Sequence, residues 1–196
     1  MADEATLRFY ADNAAAYARR QRNLPGERLA TFLALMAPGA SILELGTGGG
    51  QDALAMLSQG FDVTPTDASP ELAVEAERLI GRPVAVMRFD ELEAEAAYDG
   101  VWASACLLHA PPEELTEDLR RIHRALKPQG HFLASFKAGN GPGHDGFGRY
   151  YNYPGREELL VHYRDAAAWA ELDIEEVDGG GYDGRPTRWL WVMARR

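Results

Sequence analysis

The sequence predicts an α/β fold built on a parallel sheet. Strand-like and helix-like patterns alternate from Ser41 to Phe136. A buried strand there runs into a glycine-rich turn at residues 46–50, and a helical pattern resumes at once. Polar turn residues close each apolar run at one end, as expected where strands share a direction and helices return the chain.

The first predicted strand is Ser41–Leu45, and Gly46-Thr47-Gly48-Gly49-Gly50-Gln51-Asp52 follows it. Ala53, Leu54, Met56 and Leu57 continue as a helix over about Gln51–Gln59, which Gly60 stops. Such a turn lets a ligand approach bare backbone beside a helix N-terminus. Ahead of it, Leu7, Tyr10, Ala14 and Tyr17 recur at helical spacing, predicting a helix over Thr6–Gln21. Pro25-Gly26 interrupts, and Leu29, Phe32, Leu33 and Met36 predict a second helix over Glu27–Met36. Residues 1–38 are therefore expected to form a helical cap on a single domain spanning 1–196.

Phe61–Thr66 reads as the second strand, with Pro65 making its end irregular. Ser69 is placed to cap a helix that starts at Pro70 and ends at Ile80-Gly81. Pro83–Met87 and Tyr98–Ser104 are strands three and four. Leu115, Leu119, Ile122 and Leu126 set a helix over Pro112–Leu126, which Lys127-Pro128-Gln129-Gly130 breaks. His131–Phe136 is strand five. Lys137–Gly155 combines many glycines with Phe147, Tyr150, Tyr151 and Tyr153, the mark of an ordered loop rather than a linker. A helix over Arg156–Glu171 and strands at Asp173–Val177 and Arg188–Ala194 complete the expectation.

Composition narrows the function. The 196 residues carry a net charge of −10, without the basic face that a long nucleic-acid footprint needs. A single cysteine, Cys106, allows no internal disulfide and no cysteine-rich zinc pattern; no metal is expected. The acidic start Met1-Ala2-Asp3-Glu4 lacks the features of a signal peptide, so a cytoplasmic location is expected. No apolar run approaches the roughly 20 residues that span a bilayer. The oligomeric state is not encoded in any visible pattern.

In open sheets the ligand lies beyond the C-terminal strand ends. The glycine turn, Asp67, Asp90 and Ser104–His109 all fall there. A dinucleotide fingerprint would require glycine at position 51, which is glutamine. The spacing instead reads G-x-G-x-G through Gly50, preceded by Glu44.

On these residues the chain resembles the class I S-adenosylmethionine-dependent methyltransferases, particularly small bacterial tellurite-resistance-like and small-molecule members. Glu44-Leu45-Gly46-Thr47-Gly48-Gly49-Gly50 is similar to the family's E/D-x-G-x-G-x-G motif. Asp67 stands where the family has its ribose-binding acid, and Asp90 where it often has an acid beside the adenine. Tyr98–Trp102 through Leu107-Leu108-His109 resembles the fourth motif. Leu126–Gly130 resembles the L-K-P-G-G turn, with Gln129 replacing a glycine. The resemblance implies a Rossmann-like three-layer sandwich with a mostly parallel seven-stranded sheet, its last strand antiparallel.

It also implies S-adenosyl-L-methionine as cofactor and S-adenosyl-L-homocysteine as product. Glu44, Gly46, Thr47, Gly48, Asp67, Ala68, Asp90, Glu91, Leu92 and Ala105 are the expected cofactor positions. A carboxylate at Asp67 can accept both ribose hydroxyls, and hydrogen bonds to a charged group contribute roughly 1.5–3 kcal/mol. The rings of Tyr10 and Tyr17 suit a sulfonium, and Arg22 a carboxylate. His109 is the candidate general base. His109, Arg149, Tyr150, Tyr151 and Tyr153 are candidate walls for a small-molecule acceptor. Two other readings stay open on the sequence: a non-catalytic S-adenosylmethionine-binding sensor or pseudoenzyme, and an NAD-dependent oxidoreductase.

Overall fold

The computed structural model describes residues 3–20 and 26–196. Its centre is a seven-stranded sheet in the order β3-β2-β1-β4-β5-β9-β8. The strands are β1 (Ser41–Glu44), β2 (Asp62–Asp67), β3 (Ala85–Val86), β4 (Tyr98–Ala103), β5 (Leu126–Lys137), β8 (Glu171–Gly180) and β9 (Pro186–Arg195). Strands β1 to β5 pair in parallel, while β9 runs antiparallel to both β5 and β8. This is the mostly parallel Rossmann-like sheet that the motif resemblance implied, with the last strand reversed and inserted between β5 and β8.

Alternate side chains feed two cores. Leu43, Val101 and Phe132 face α5 (Pro112–Ala125) and α6 (Arg156–Ala166) on one side. Ile42, Trp102 and Leu133 face α2 (Gly26–Leu33) and α3 (Gln51–Ser58) on the other. Central strands buried on both faces read as continuous apolar runs, so they were legible as strands. Helix α4 (Pro70–Ile80) starts as expected: Ser69 Oγ accepts the Leu72 N–H, and Gly81 ends it at φ +72°. Helix α1 (Glu4–Arg19) is capped by Asp3, whose carboxylate accepts the Thr6 N–H at 2.8 Å.

Several boundaries differ from expectation. Pro65 does not disturb β2, which continues to Asp67. Pairing with β3 begins only at Thr66, so a missing N–H at Pro65 removes no ladder bond on that side. Helix α5 ends before Lys127-Pro128-Gln129-Gly130, as expected, but these residues already belong to β5, which starts at Leu126 rather than His131. They form a bulge within β5, where the register against β4 shifts and Gln129 takes a left-handed φ of +67°. Helix α6 stops at Ala166 rather than Glu171. Trp169 folds back there, and its Nε1–H donates to the Tyr163 carbonyl at 2.9 Å. Of the residues freed from the helix, Glu171 starts β8, which runs on to Gly180. The loop 137–155 contains a short hairpin of β6 (Gly143–His144) and β7 (Tyr150–Tyr151).

The hairpin is tied down on both sides. Tyr150 N–H donates to Thr6 Oγ1 at 2.7 Å, and Asn152 Nδ2 donates to the carbonyls of Leu107 and Ala110. Arg149, Tyr151 and Asn152 are buried.

Candidate active site

The carboxyl ends of β1, β2 and β4 converge on the glycine turn. Its first residue, Gly46, has φ +65°, and a Cβ there would lie 2.4 Å from the Cβ of Cys106. Only glycine satisfies both the backbone angle and the contact. The turn is locked to β2 by Thr47 N–H, which donates to the Thr66 carbonyl at 2.8 Å. Below it, the buried Glu44 carboxylate accepts Thr47 Oγ1–H at 2.5 Å. Above it lies α1: a Cβ on Gly49 would meet the Ala18 Cα at 2.9 Å. The N-terminal helix therefore rests directly on the turn.

Asp67 ends β2 and faces the same turn. Its carboxylate accepts the Gly48 N–H at 2.8 Å and the Ser69 N–H at 2.9 Å. Burial raises its pKa, and the N–H donors of Ser69, Gly48 and Ala68 oppose that rise. Each oxygen keeps lone-pair capacity for a further donor.

A cleft of about 830 Å³, its open mouth included, runs along these strand ends. Gly46, Gly48, Asp67, Ala68, Asp90, Ala105, Tyr10, Tyr17 and His109 all line it, as the sequence expected. Ala105 adopts a left-handed φ of +54°, and its N–H donates to Ser135 Oγ at 2.8 Å. A non-glycine residue in that region carries backbone strain, which the Ser135 contact and the surrounding fold must hold in place.

At one end of the cleft stand Leu72, Phe89 and Asp90 with two acids of α5, Glu114 and Asp118. The Asp90 carboxylate is gripped by Arg88, with Nη2 to Oδ2 at 2.6 Å. Asp118 is buried, and burial together with the Asp90 charge lifts its pKa to about 7. At the other end Tyr10, Tyr17 and His109 meet. The Tyr10 and Tyr17 rings lie edge to face, 5.2 Å apart.

His109 has both ring nitrogens engaged. Nδ1 lies 2.5 Å from the Tyr150 carbonyl, which can only accept, so Nδ1 carries the proton. Nε2 then accepts the Tyr10 hydroxyl at 2.9 Å. Burial lowers the His109 pKa to about 4, so the ring is neutral at pH 7. Arg149 donates to the Tyr10 oxygen at 3.3 Å and is paired with Asp145 at 2.6 Å.

Other expected positions fall elsewhere. Glu44 and Thr47 lie beneath the turn rather than on the cleft wall. Leu92 is buried in the core, while the Glu91 carboxylate accepts the Arg88 N–H at 2.8 Å. Arg149, Tyr150, Tyr151 and Tyr153 form a layer behind Tyr10 and His109 and are absent from the cleft lining. Arg22 lies outside the described residues. Sequence reasoning missed Thr6, Phe89 and Asp118 on the cleft wall. Asp118 carried a signal: it interrupts the inward-facing series Leu115, Leu119, Ile122 at helical spacing. Among the described residues, no group of three or more His, Cys, Asp or Glu is placed to hold a metal ion. No helix among them is long and apolar enough to cross a membrane.

A Rossmann-like sheet, a glycine turn braced by an acid, and a second acid at the end of β2 define a class I S-adenosylmethionine-dependent methyltransferase. The chain belongs to the methyltransferase domain family, whose model matches residues 17–172. It is 32% identical over 115 residues to an uncharacterized methyltransferase of Synechocystis, a match covering 58% of this chain and about half of that relative (52%). Among solved structures it is similar to the 1,6-didemethyltoxoflavin-N1-methyltransferase of Burkholderia thailandensis, with bound 1,6-didemethyltoxoflavin and S-adenosylhomocysteine. The TM-score is 0.76 at 27% identity, over 98% of this chain and 87% of that one. Phosphoethanolamine N-methyltransferase 2 of Haemonchus contortus, in complex with S-adenosyl-L-methionine, shares the fold. Its TM-score is 0.72 at 19% identity, over 98% of this chain and 56% of that one. S-adenosylmethionine is the cofactor. The residues present fit it: Asp67 has acceptor capacity directed at the cleft, and the glycine turn leaves room for close approach.

Proposed function

We propose that the chain transfers a methyl group to a small-molecule acceptor by in-line displacement. The observation that carries this reading is the single cleft that runs from Asp67 and Asp90 to the Tyr10–His109 pair. One end suits a nucleoside and the other a compact acceptor. The Burkholderia neighbour, which holds a small molecule beside S-adenosylhomocysteine, supports the acceptor class.

When bound, S-adenosylmethionine supplies an electrophilic methyl group on a sulfonium. The chain's own residues bind and orient. Asp67 accepts the ribose hydroxyls, with Ala68 backbone beside it. Leu72 and Phe89 flank the adenine, and Asp90, with Glu91 and Leu92 backbone, reads its edge. Gly46, Gly48 and Ala105 present main chain to the sulfur end, where Glu44 and Thr47 hold the turn in shape. The rings of Tyr10 and Tyr17 face the positive sulfur and exclude water. His109 holds the Tyr10 hydroxyl, with its own Nε2 lone pair engaged in doing so. Catalysis then rests chiefly on alignment of two reactants.

Calorimetry tests the donor: S-adenosylhomocysteine binds and NAD does not. Transfer of radiolabelled methyl to pooled small molecules tests turnover. Binding without transfer to any acceptor favours a sensor and overturns the enzymatic reading.

A further inference from the structure

One end of the cleft holds a carboxyl that the fold leaves without a partner. Asp118 lies on α5 within the inward-facing series Leu115, Leu119 and Ile122, where an apolar residue would pack. It is only 4% exposed, and it lines the cleft together with Leu72, Arg88, Phe89 and Asp90. Among the described residues its carboxyl accepts no hydrogen bond and enters no ion pair. A buried acid without donors is costly, and one that faces a cleft is placed to meet a ligand.

The nearby cations are committed to other acids. Arg88 grips both oxygens of Asp90, with Nε to Oδ1 at 3.0 Å and Nη2 to Oδ2 at 2.6 Å. On α5, Arg121 lies 3.7 Å from Glu117. The other charged groups facing this end are acids: Asp90 from the turn after β3, Glu114 and Glu117 on α5, and Asp3 before α1. Burial, and then the Asp90 charge, lifts the Asp118 pKa to about 7, while Arg121 opposes the rise.

A protonated carboxyl donates through one oxygen and accepts through the other. The edge of adenine asks for that pair, since ring N1 accepts and the 6-amino group donates. The neighbouring backbone offers the base no such donor from Glu91 or Leu92. Their N–H groups already bond to the carbonyls of Arg88 and Phe89, each at 3.2 Å.

We infer that Asp118 holds the adenine of the cofactor as a protonated acid, donating its O–H to ring N1 and accepting one hydrogen of the 6-amino group, while Asp90 accepts the other. This inference rests on the reading that sets the adenine between Leu72 and Phe89, and it makes cofactor affinity depend on a proton held by α5. Binding that needs this proton is full below about pH 7 and is lost as the pH rises further. An asparagine side chain offers the same donor and acceptor without titrating.

The test is calorimetric titration of S-adenosylhomocysteine into the full chain at pH 6 and pH 8.5. Wild-type affinity is expected to fall by roughly ten-fold between the two. Asp118→Asn is expected to keep the pH 6 wild-type affinity at both values. Asp118→Leu is expected to bind about ten-fold more weakly than wild type at pH 6. Wild-type and Asp118→Asn affinities that follow the same pH profile, or an Asp118→Leu variant as tight as wild type, overturn the inference and leave the donor reading standing. Should the variants fail to fold, wild-type binding at pH 8 is measured in two buffers of different ionisation enthalpy. Uptake of roughly one proton per cofactor bound is expected, and no uptake overturns the inference. Failure of S-adenosylhomocysteine to bind at either pH removes the donor reading and this inference with it.

Discussion

The Tyr10 hydroxyl donates to Nε2 of His109 at 2.9 Å and joins α1 to the turn after β4. The donor direction follows from the other ring nitrogen, whose proton is fixed on the Tyr150 carbonyl. Tyr10→Phe therefore leaves a buried nitrogen without its donor. The expected loss of stability is about 1–3 kcal/mol. It is read by denaturant unfolding of the two proteins side by side. An unchanged midpoint refutes the hydrogen bond as a stabilising contact.

The pH dependence of stability contains two opposed contributions. His109 falls from 6.5 to about 4 on folding, so between those values the unfolded chain holds the extra proton and stability rises with pH. Asp118 rises from 3.8 to about 7, so over that range the folded chain holds the extra proton and stability falls as pH rises. The two nearly cancel between pH 4 and 6.5. Asp118→Asn removes one of them. That variant is expected to lose stability towards acid more steeply than wild type, by about 1 kcal/mol per pH unit. Thermal melts at half-unit intervals from pH 4.5 to 6.5 check this, and parallel curves contradict it.

Asp67 braces Gly48 and Ser69 and faces the cleft. Asp67→Ala is expected to weaken S-adenosylhomocysteine binding by at least ten-fold, which corresponds to about 1.4 kcal/mol. Calorimetry is the measurement. Affinity within two-fold of wild type means that the ribose is held by another group.

Gly49→Ala places a methyl group against the backbone of Ala18, 2.9 Å from its Cα. A helix backbone cannot yield as a flexible side chain does, so α1 must move away. Overpacking of this kind costs roughly 1–3 kcal/mol. The expected result is faster proteolysis within α1 together with weaker S-adenosylhomocysteine binding. A variant as resistant as wild type disproves close seating of the helix.

Much of this fold was visible in the chain because its central strands are buried on both faces. Ile42 and Leu43, or Trp102 and Val101, point to opposite cores, and each run reads as unbroken apolar sequence. The glycine turn and Asp67 were legible because backbone angle and close contact restrict the residue type. Helix α6 was read too long because Ala166-Ala167-Ala168 carries no local stop signal; a tertiary contact of Trp169 with Tyr163 ends it. The bulge at Gln129 was read only as the end of the preceding helix, and not as part of β5, for a similar reason. Its left-handed residue is not a glycine, and its N–H bond runs to the Arg196 carbonyl, far along the sequence.

Strand β9 occupies an interior position, with β5 on one side and β8 on the other. Seven register pairs join it to β5 and ten to β8. The parallel half of the sheet is therefore synthesised long before its neighbouring interior strand exists. During translation the free edge of β5 stays open, and β8 has no sheet to join until residues 186–195 leave the ribosome. Nascent chains halted before that point are expected to present an unprotected β-edge and to depend on chaperones.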